Sequence, residues 1–454
     1  MDDGTGQALN YIMAAIVISG GLQALLGILK LGRYAEIFHS SVIHGILAAI
    51  GLIIFAKQIH VAMDTQSDSY SIIQNLIDAV KMIPQANPFV VIISLVGLAM
   101  TLFHSKVKLK LFQLLPAPMW VILLSIPFAY AFNFFKAHSL SLFGKDFEVG
   151  PRLLLEMPDN IMDCIIFPNF GKIGTPEFWV TTISILLISS IESLAIAKAV
   201  DKIDPYKRKT DLNKDLTGIG LSTMVAGFIG GLPIIAVIIR STVNVHNGAK
   251  TKLSNMYQGL LLLLFIVVLS PIMQKVPLCA FAILLVYTGF KLASPKVFKK
   301  MYSLGTEQLI FFVGTMMLTL YTNLLIGLFG GLILALVGHL IMTRTSPIRF
   351  FQLLFRPNSL VEHSDGSYEI KINGIANFLS ILNINKILAK IPAGATAVVD
   401  FSDTRLVGIT VLEDLYDFQK LHENTGGTLT IRGLENHSSS SSGALGAKIN
   451  LDYN

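Results

Sequence analysis

The chain has 454 residues, of which 53% are hydrophobic and only 14% charged, with a mean hydropathy of +0.64. Soluble domains carry roughly a quarter charged residues, so these figures exclude a soluble globular protein, a disordered chain, collagen and a coiled coil. The net charge of +6 divides into 28 Lys+Arg against 18 Asp+Glu over residues 1–356 and 7 against 11 over 357–454, a pattern expected of a membrane part with a small acidic soluble tail and no nucleic-acid partner.

A helix needs about 20 mostly apolar residues to cross the roughly 30 Å hydrocarbon layer. Such runs fall near 10–30, 40–59, 88–104, 112–132, 177–200, 214–232, 233–247, 254–273, 277–293, 306–323 and 324–344, about eleven spans. The run 233–247 is short, starts at Pro233 and contains Arg240, which predicts a half-helix or broken span. Alternating spans gather 20 of the 28 Lys+Arg of residues 1–356 on one side, Lys106, Lys108, Lys110, Lys207, Arg208 and Lys209 among them. The positive-inside rule then puts the C-terminus in the cytoplasm and the N-terminus outside. Met1-Asp2-Asp3-Gly4 is unlike the basic start of a signal peptide. An odd number of spans with an external, unsignalled start leads to the expectation that earlier spans are absent from this chain.

After Pro357 the pattern shortens and alternates. Tyr368 to Ile372 reads as an edge strand, Asn383 to Lys390 as a helix, Thr396 to Phe401 as a buried strand and Val411 to Leu421 as a helix. Gly426-Gly427 turns the chain into a strand at Thr428–Ile431. Strands alternating with helices imply a small α/β layer domain. The domains expected are a membrane part over 1–346, an α/β domain over 357–437 and a flexible tail over 438–454, with Ser438 to Ser442 in a row.

Chemistry concentrates at two places. Glu192 lies deep in the span 177–200, where a carboxylate is costly to keep ionised and faces a cavity or a partner. It is suited to exchanging a proton or binding a cation; the alternative is a tether to Lys198 or Arg240. The second place is Gly230-Gly231-Leu232-Pro233-Ile234-Ile235-Ala236-Val237-Ile238-Ile239-Arg240-Ser241. A helix starting at Pro233 would aim free N–H groups and a positive dipole end into the membrane interior, which suits an anion. Arg240 would add a permanent charge a turn or two further on, offsetting the anion's lost hydration. The competing reading is a kinked packing helix with Arg240 reaching for the interface.

Cys164 and Cys279 fit no disulfide framework or metal spacing. His39, His44 and His60 match no metal motif either. Without a phosphate-cradling lysine loop, G-x-S-x-G or H-E-x-x-H, neither an enzyme nor a cofactor nor ATP-driven transport is expected.

The stretch Glu192 to Lys198, the run Gly230 to Val245, Gly248 to Ser254, Leu25 to Arg33 and Ser41 to Gly45 together resemble the sulfate permease (SulP) family of anion transporters, and the tail resembles a STAS domain. The resemblance implies an α-helical polytopic membrane protein of the inverted seven-segment repeat type, with a core and a gate alternating in access. It also implies that the spans here correspond to segments four to fourteen, the first three being missing. Proteins with this Arg-Ser-Thr-Val-Asn-type segment look like the bacterial branch that includes bicarbonate carriers. The resemblance therefore implies secondary active transport of sulfate or bicarbonate, coupled to protons or by exchange, across a bacterial inner membrane by a homodimer. Pro233, Ile234, Ile235, Ala236, Arg240 and Ser241 are the implied anion-binding positions and Glu192 the coupling position. Ile196 stands where sodium-coupled relatives have a threonine, and Ile239 where relatives often have a hydroxyl. Gly408-Ile409 replaces the Asp-Ser/Thr pair of many STAS domains, leaving dimerisation or partner docking as the role of the tail. The alternative is a transport-inactive truncated scaffold acting through that domain.

Overall fold

Helices occupy ten of the eleven apolar runs: α1 (Ala8–Ile28), α2 (Ser40–Met63), α4 (Pro88–Phe103), α5 (Ala117–Ala131), α6 (Pro176–Ile203), α7 (Leu212–Phe228), α8 (Leu253–Met273), α9 (Leu278–Leu292), α11 (Thr306–Tyr321) and α12 (Leu324–Thr343). Short amphipathic helices α3 (Ile72–Lys81), α10 (Pro295–Leu304) and α13 (Pro347–Leu354) lie between or after them. The structure, a computed structural model, describes the chain apart from residues 1–6, 33–38, 68, 70, 108–111, 113–114, 143, 157–161, 163–164, 207, 209, 238–239, 242–243, 246–247, 365, 442–445 and 451–454. Cys164 and residues 238–239, 242–243 and 246–247 of the 233–247 run therefore lie outside the described residues. Among the described residues, six helical stretches are long and apolar enough to cross a membrane.

The chain forms two units interleaved in sequence, one of residues 1–46, 166–247 and 295–454, the other of 47–165 and 248–294. In the second unit, α4, α5 and α9 pack through Val121, Ala280 and Ile283. A hairpin of β1 (His138–Leu142) and β2 (Lys145–Val149) precedes Arg152, which forms a two-pronged ion pair with Asp64 at 2.7 and 2.9 Å. Helix α8 buries none of its residues within the protein. A helix apolar on every side and covered by nothing suits lipid contact.

In the first unit α1 lies against α7, and small residues set the distance. A Cβ on Gly20 would stand 2.7 Å from the Gly220 carbonyl oxygen, and one on Gly227 would stand 3.0 Å from the Val17 nitrogen. Lipid tails are as apolar as leucine, so helices in a bilayer associate through such close backbone contact. Helices α11 and α12 use the same device, with Gly327 and Gly331 of α12 receiving Thr319 and Thr315.

Beyond α12, Arg344 adopts a left-handed conformation (φ 50°) that ends the helix, and α13 follows directly. The C-terminal domain contains a sheet of order β3-β4-β6-β8, built from β3 (Ser359–Glu362), β4 (Tyr368–Lys371), β6 (Thr396–Asp400) and β8 (Thr428–Arg432). Its last three strands run parallel, and β3 covers the flank of β4 that the alternating pattern assigns to an edge. Helices α14 (Ile381–Leu388) and α15 (Ile409–Glu423) pack Ile384, Leu388, Leu412 and Leu415 against that sheet. A second sheet joins β5 (Gly374–Ala376) and β7 (Thr404–Val407) to two short strands, β9 (Ser438–Ser439) and β10 (Lys448–Ile449). Within 438–454, Ser438–Ser439 and Lys448–Ile449 pair as two short strands, and β10 lies along the open edge of β7.

The domain is seated on the membrane helices of its unit. His39, Phe311 of α11, His339 of α12 and Phe378 of the domain form a ring cluster with centroids 5.4–5.8 Å apart. Both ring nitrogens of His339 and Nε2 of His39 are buried without a hydrogen-bond partner among the described residues. An unpaired buried polar group costs about 1–3 kcal/mol, and an apolar replacement of similar shape can be neutral or stabilising. His339→Leu is therefore expected to leave the melting temperature of the detergent-extracted protein unchanged or raised. A fall of several degrees would mean that His339 has a partner.

Candidate anion site

Helix α7 ends in a Schellman-type cap. Gly230 takes a positive φ of 87°, and the Gly231 N–H returns to the Ala226 carbonyl at 2.7 Å. Residues 231–237, which include Pro233, Ile234, Ile235 and Ala236, are not helical. This corrects the expectation of a helix beginning at Pro233. The run Ile-Ile-Ala-Val is rich in β-branched residues, which disfavour helix, and two hydroxyls on neighbouring helices take up its amides. Ile234 N–H donates to Thr223 Oγ1 of α7 at 3.1 Å, and Ala236 N–H donates to Ser193 Oγ of α6 at 3.4 Å. Thr223 and Ser193 are fully buried.

A helical turn appears only afterwards. Ser241 N–H donates to the Val237 carbonyl at 3.1 Å, and the Ser241 hydroxyl bonds the same oxygen at 3.1 Å. The described part of this turn, Arg240 and Ser241, bonds back to Val237, four residues beyond Pro233. Arg240 is exposed, and it makes no hydrogen bond or ion pair among the described residues.

Glu192 precedes Ser193 on α6 and is half-buried, with Ile191 and Leu194 buried beside it. No hydrogen bond or ion pair reaches it among the described residues, so a tether to Arg240 is not formed. The Lys198 side chain lies outside the described residues. The site thus offers a carboxylate and a guanidinium that have no partner among the described residues, and an interrupted backbone held by two hydroxyls.

Beside the segment is a cavity of ≈ 420 Å³, lined by Pro233, Ile235, Val180, Thr181, Ser184, Ile188, Ser189, Asn323 and others. It is mostly apolar; the Thr181 and Ser184 hydroxyls bond carbonyls of their own helix, at 2.9 and 2.6 Å. Asn323 caps α12 through Oδ1, which accepts from Ile326 N–H at 2.9 Å. Of the expected anion-binding residues, Pro233 and Ile235 line this cavity; Ala236 is joined to the α6 turn that carries Glu192, and Arg240 and Ser241 lie outside the cavity wall. Sequence reasoning missed Ser193, Thr223 and Asn323. Thr223 lies between Gly220 and Gly227 on the face of α7 turned to α1, and a hydroxyl in a row of small residues was the available signal. Outside the spans, Arg208 closes the α6–α7 connection on Asp204 at 2.8 Å, and this guanidinium holds the Asp204 carboxyl well below the usual range.

Several apolar helices, an interrupted segment beside an open, mostly apolar cavity and an α/β C-terminal domain define a polytopic helical membrane protein. The chain belongs to the sulfate permease family, whose sequence profile matches residues 2–315. It is 27% identical over 321 residues to YvdB of Bacillus subtilis, which carries a provisional sulfate-transporter name, covering 70% of this chain and 57% of YvdB. It is 20% identical over 320 residues to the bicarbonate transporter BicA of Picosynechococcus, covering 70% of this chain and 54% of BicA. The chain spans about half the length of the curated relatives it matches. The fold resembles the murine Slc26a9 anion transporter, with a TM-score of 0.61 at 16% identity over 93% of this chain and 69% of that one. That similarity takes in the C-terminal sheets and helices, which are consistent with a STAS-like domain.

Proposed function

We propose that the chain carries the membrane and C-terminal parts of a secondary carrier for a small inorganic oxyanion, sulfate or bicarbonate. The observation that supports this reading best is the Gly230–Ser241 segment. A non-helical backbone at membrane depth is tolerated where it is buried in protein or lines a cavity, and this one passes a cavity and runs into a helix start beside Arg240. In this reading the anion sits against the cavity mouth near Ile235 and Ala236. The Arg240 guanidinium balances its charge, with Ser241 at the end of the turn that follows Val237. Pro233 and Ile234 hold the approach to the site. Glu192, next to the Ser193 that fixes Ala236, takes up a proton with the anion. Movement of one bundle against another exposes the site to each side in turn. The carrier works as a homodimer in a bacterial inner membrane with the STAS-like domain in the cytoplasm.

The test is uptake of labelled sulfate and bicarbonate into proteoliposomes, with and without a proton gradient. Uptake of either anion above that of protein-free vesicles is expected; folded protein that carries neither would favour a scaffold acting through its C-terminal domain. Glu192→Gln is expected to remove the pH dependence of uptake while leaving anion binding measurable; an unaltered pH profile refutes the coupling role. Arg240→Ala is expected to weaken anion affinity about tenfold or more, on the scale of a charge-assisted contact of about 1.5–3 kcal/mol. Equal affinity of the variant would remove Arg240 from the site.

A further inference from the structure

A second cavity of ≈ 520 Å³ lies where α13 meets the C-terminal domain, far along the chain from the segment described above. Its wall includes Arg356, Lys386 and Lys390, and none of the described lining residues is a carboxylate. Asn383, Lys386 and Ile387 share one face of α14, with Lys390 a turn further on, while Ile381, Ile384 and Leu388 on the other face are buried. The opposite wall is braced by amides: Asn373 Nδ2 donates to the Pro357 carbonyl at 2.7 Å, and Asn373 N–H donates to Asn358 Oδ1 at 2.9 Å.

The place of this cleft follows from the chain. Only residues 344–346 separate the end of α12 from α13, and three residues reach about 10 Å at most, so a spanning α12 holds α13 at the membrane surface. Helix α13 is two-faced. Phe350, Leu353 and Leu354 are buried against Ile375 and Leu406 of the domain. Ile348 and Phe351 on its other face are exposed, and Phe355, just past its end and 75% exposed, lines the mouth of the cleft. Arg344, Arg349 and Arg356 are exposed along the same stretch. Apolar side chains with interspersed cations are the pattern of a helix lying in the headgroup region.

We propose that this cleft binds the phosphate of an anionic phospholipid, such as phosphatidylglycerol. Lys386, Lys390 and Arg356 contact the phosphate, Asn383 the polar headgroup, and the acyl chains lie over Phe351 and Phe355. Charge complementarity and the direct continuity of α12 with the cleft both favour a lipid over a soluble anion. The proposal uses the reading of α12 as a span but not the carrier reading, so its test needs no transport.

The test is native mass spectrometry of the detergent-purified full chain, titrated with phosphatidylglycerol, with phosphatidylcholine, and with phosphatidylglycerol in the presence of inorganic phosphate. Wild type is expected to retain one phosphatidylglycerol in preference to phosphatidylcholine, and equimolar inorganic phosphate is expected not to displace it. Lys386→Gln combined with Lys390→Gln should weaken retention about tenfold, and Asn383→Trp, which fills the cleft without changing its charge, should weaken it as well. Lys296→Gln combined with Lys299→Gln, on α10, should bind as wild type. Equal retention of phosphatidylcholine, undiminished binding by the cleft variants, or displacement by inorganic phosphate would each overturn the proposal, the last by identifying a free-phosphate site.

Discussion

Gly220→Val should abolish the folded membrane domain. A Cβ at this position would lie 2.7 Å from the Gly20 carbonyl oxygen and 2.8 Å from the Ala24 Cα, and closer still to the Ala24 nitrogen. These are backbone atoms, so relief requires α1 and α7 to separate along their length rather than one side chain to turn. Overpacking confined to side chains costs about 1–3 kcal/mol; a backbone collision between two closely packed helices belongs with the exceptional losses of about 4 kcal/mol or more. Size-exclusion chromatography of detergent extracts should show aggregate in place of the wild-type peak. Leu221→Val, one residue along at a side chain 47% exposed, should elute as wild type. A monodisperse Gly220→Val protein with an unchanged melting temperature would refute the close packing of α1 on α7.

Thr223→Val should loosen the interrupted segment without disturbing this contact. The two side chains have nearly the same shape, so what is lost is the acceptor for Ile234 N–H. An amide left without a partner costs about 1–3 kcal/mol in a protein interior, and in hydrocarbon there is no water to replace it. A lower melting temperature and weaker anion binding are expected together, and Thr223→Ser should restore both. Ser193→Ala removes the longer bond to Ala236 N–H and should have the smaller effect. If Thr223→Val matches wild type in both measurements, the hydroxyl does not hold the segment.

The apolar runs were legible because membrane helices satisfy their own backbone and advertise themselves by length. The alternation from Tyr368 onward and the helix Ile409–Glu423 were legible for the same kind of reason, being periodic and local. The segment 231–237 was not, since a short apolar run with proline at its start fits a helix or an irregular chain equally well by pattern. What decides it are hydroxyls 11 and 43 residues away. The candidate site residues divide in the same way: Glu192 stands out as a charge in an apolar run, whereas Thr223 is an ordinary hydroxyl until the fold brings Ile234 to it. Helix α13 was missed because Pro347–Leu354 is only eight residues long, too short for periodicity to separate it from a linker.

Phe378 bears on how the two parts of the first unit stay together. Its ring lies among His39, Phe311 and His339, while the Arg405 guanidinium holds the Thr343 carbonyl at 2.8 Å and the Ser440 hydroxyl holds Glu307 at 2.6 Å. The covalent joint between α13 and β3 is therefore a minor part of the attachment. Proteolysis there would nick the polypeptide without shedding the fragment beyond it, and that fragment would still co-purify with the membrane helices on a column.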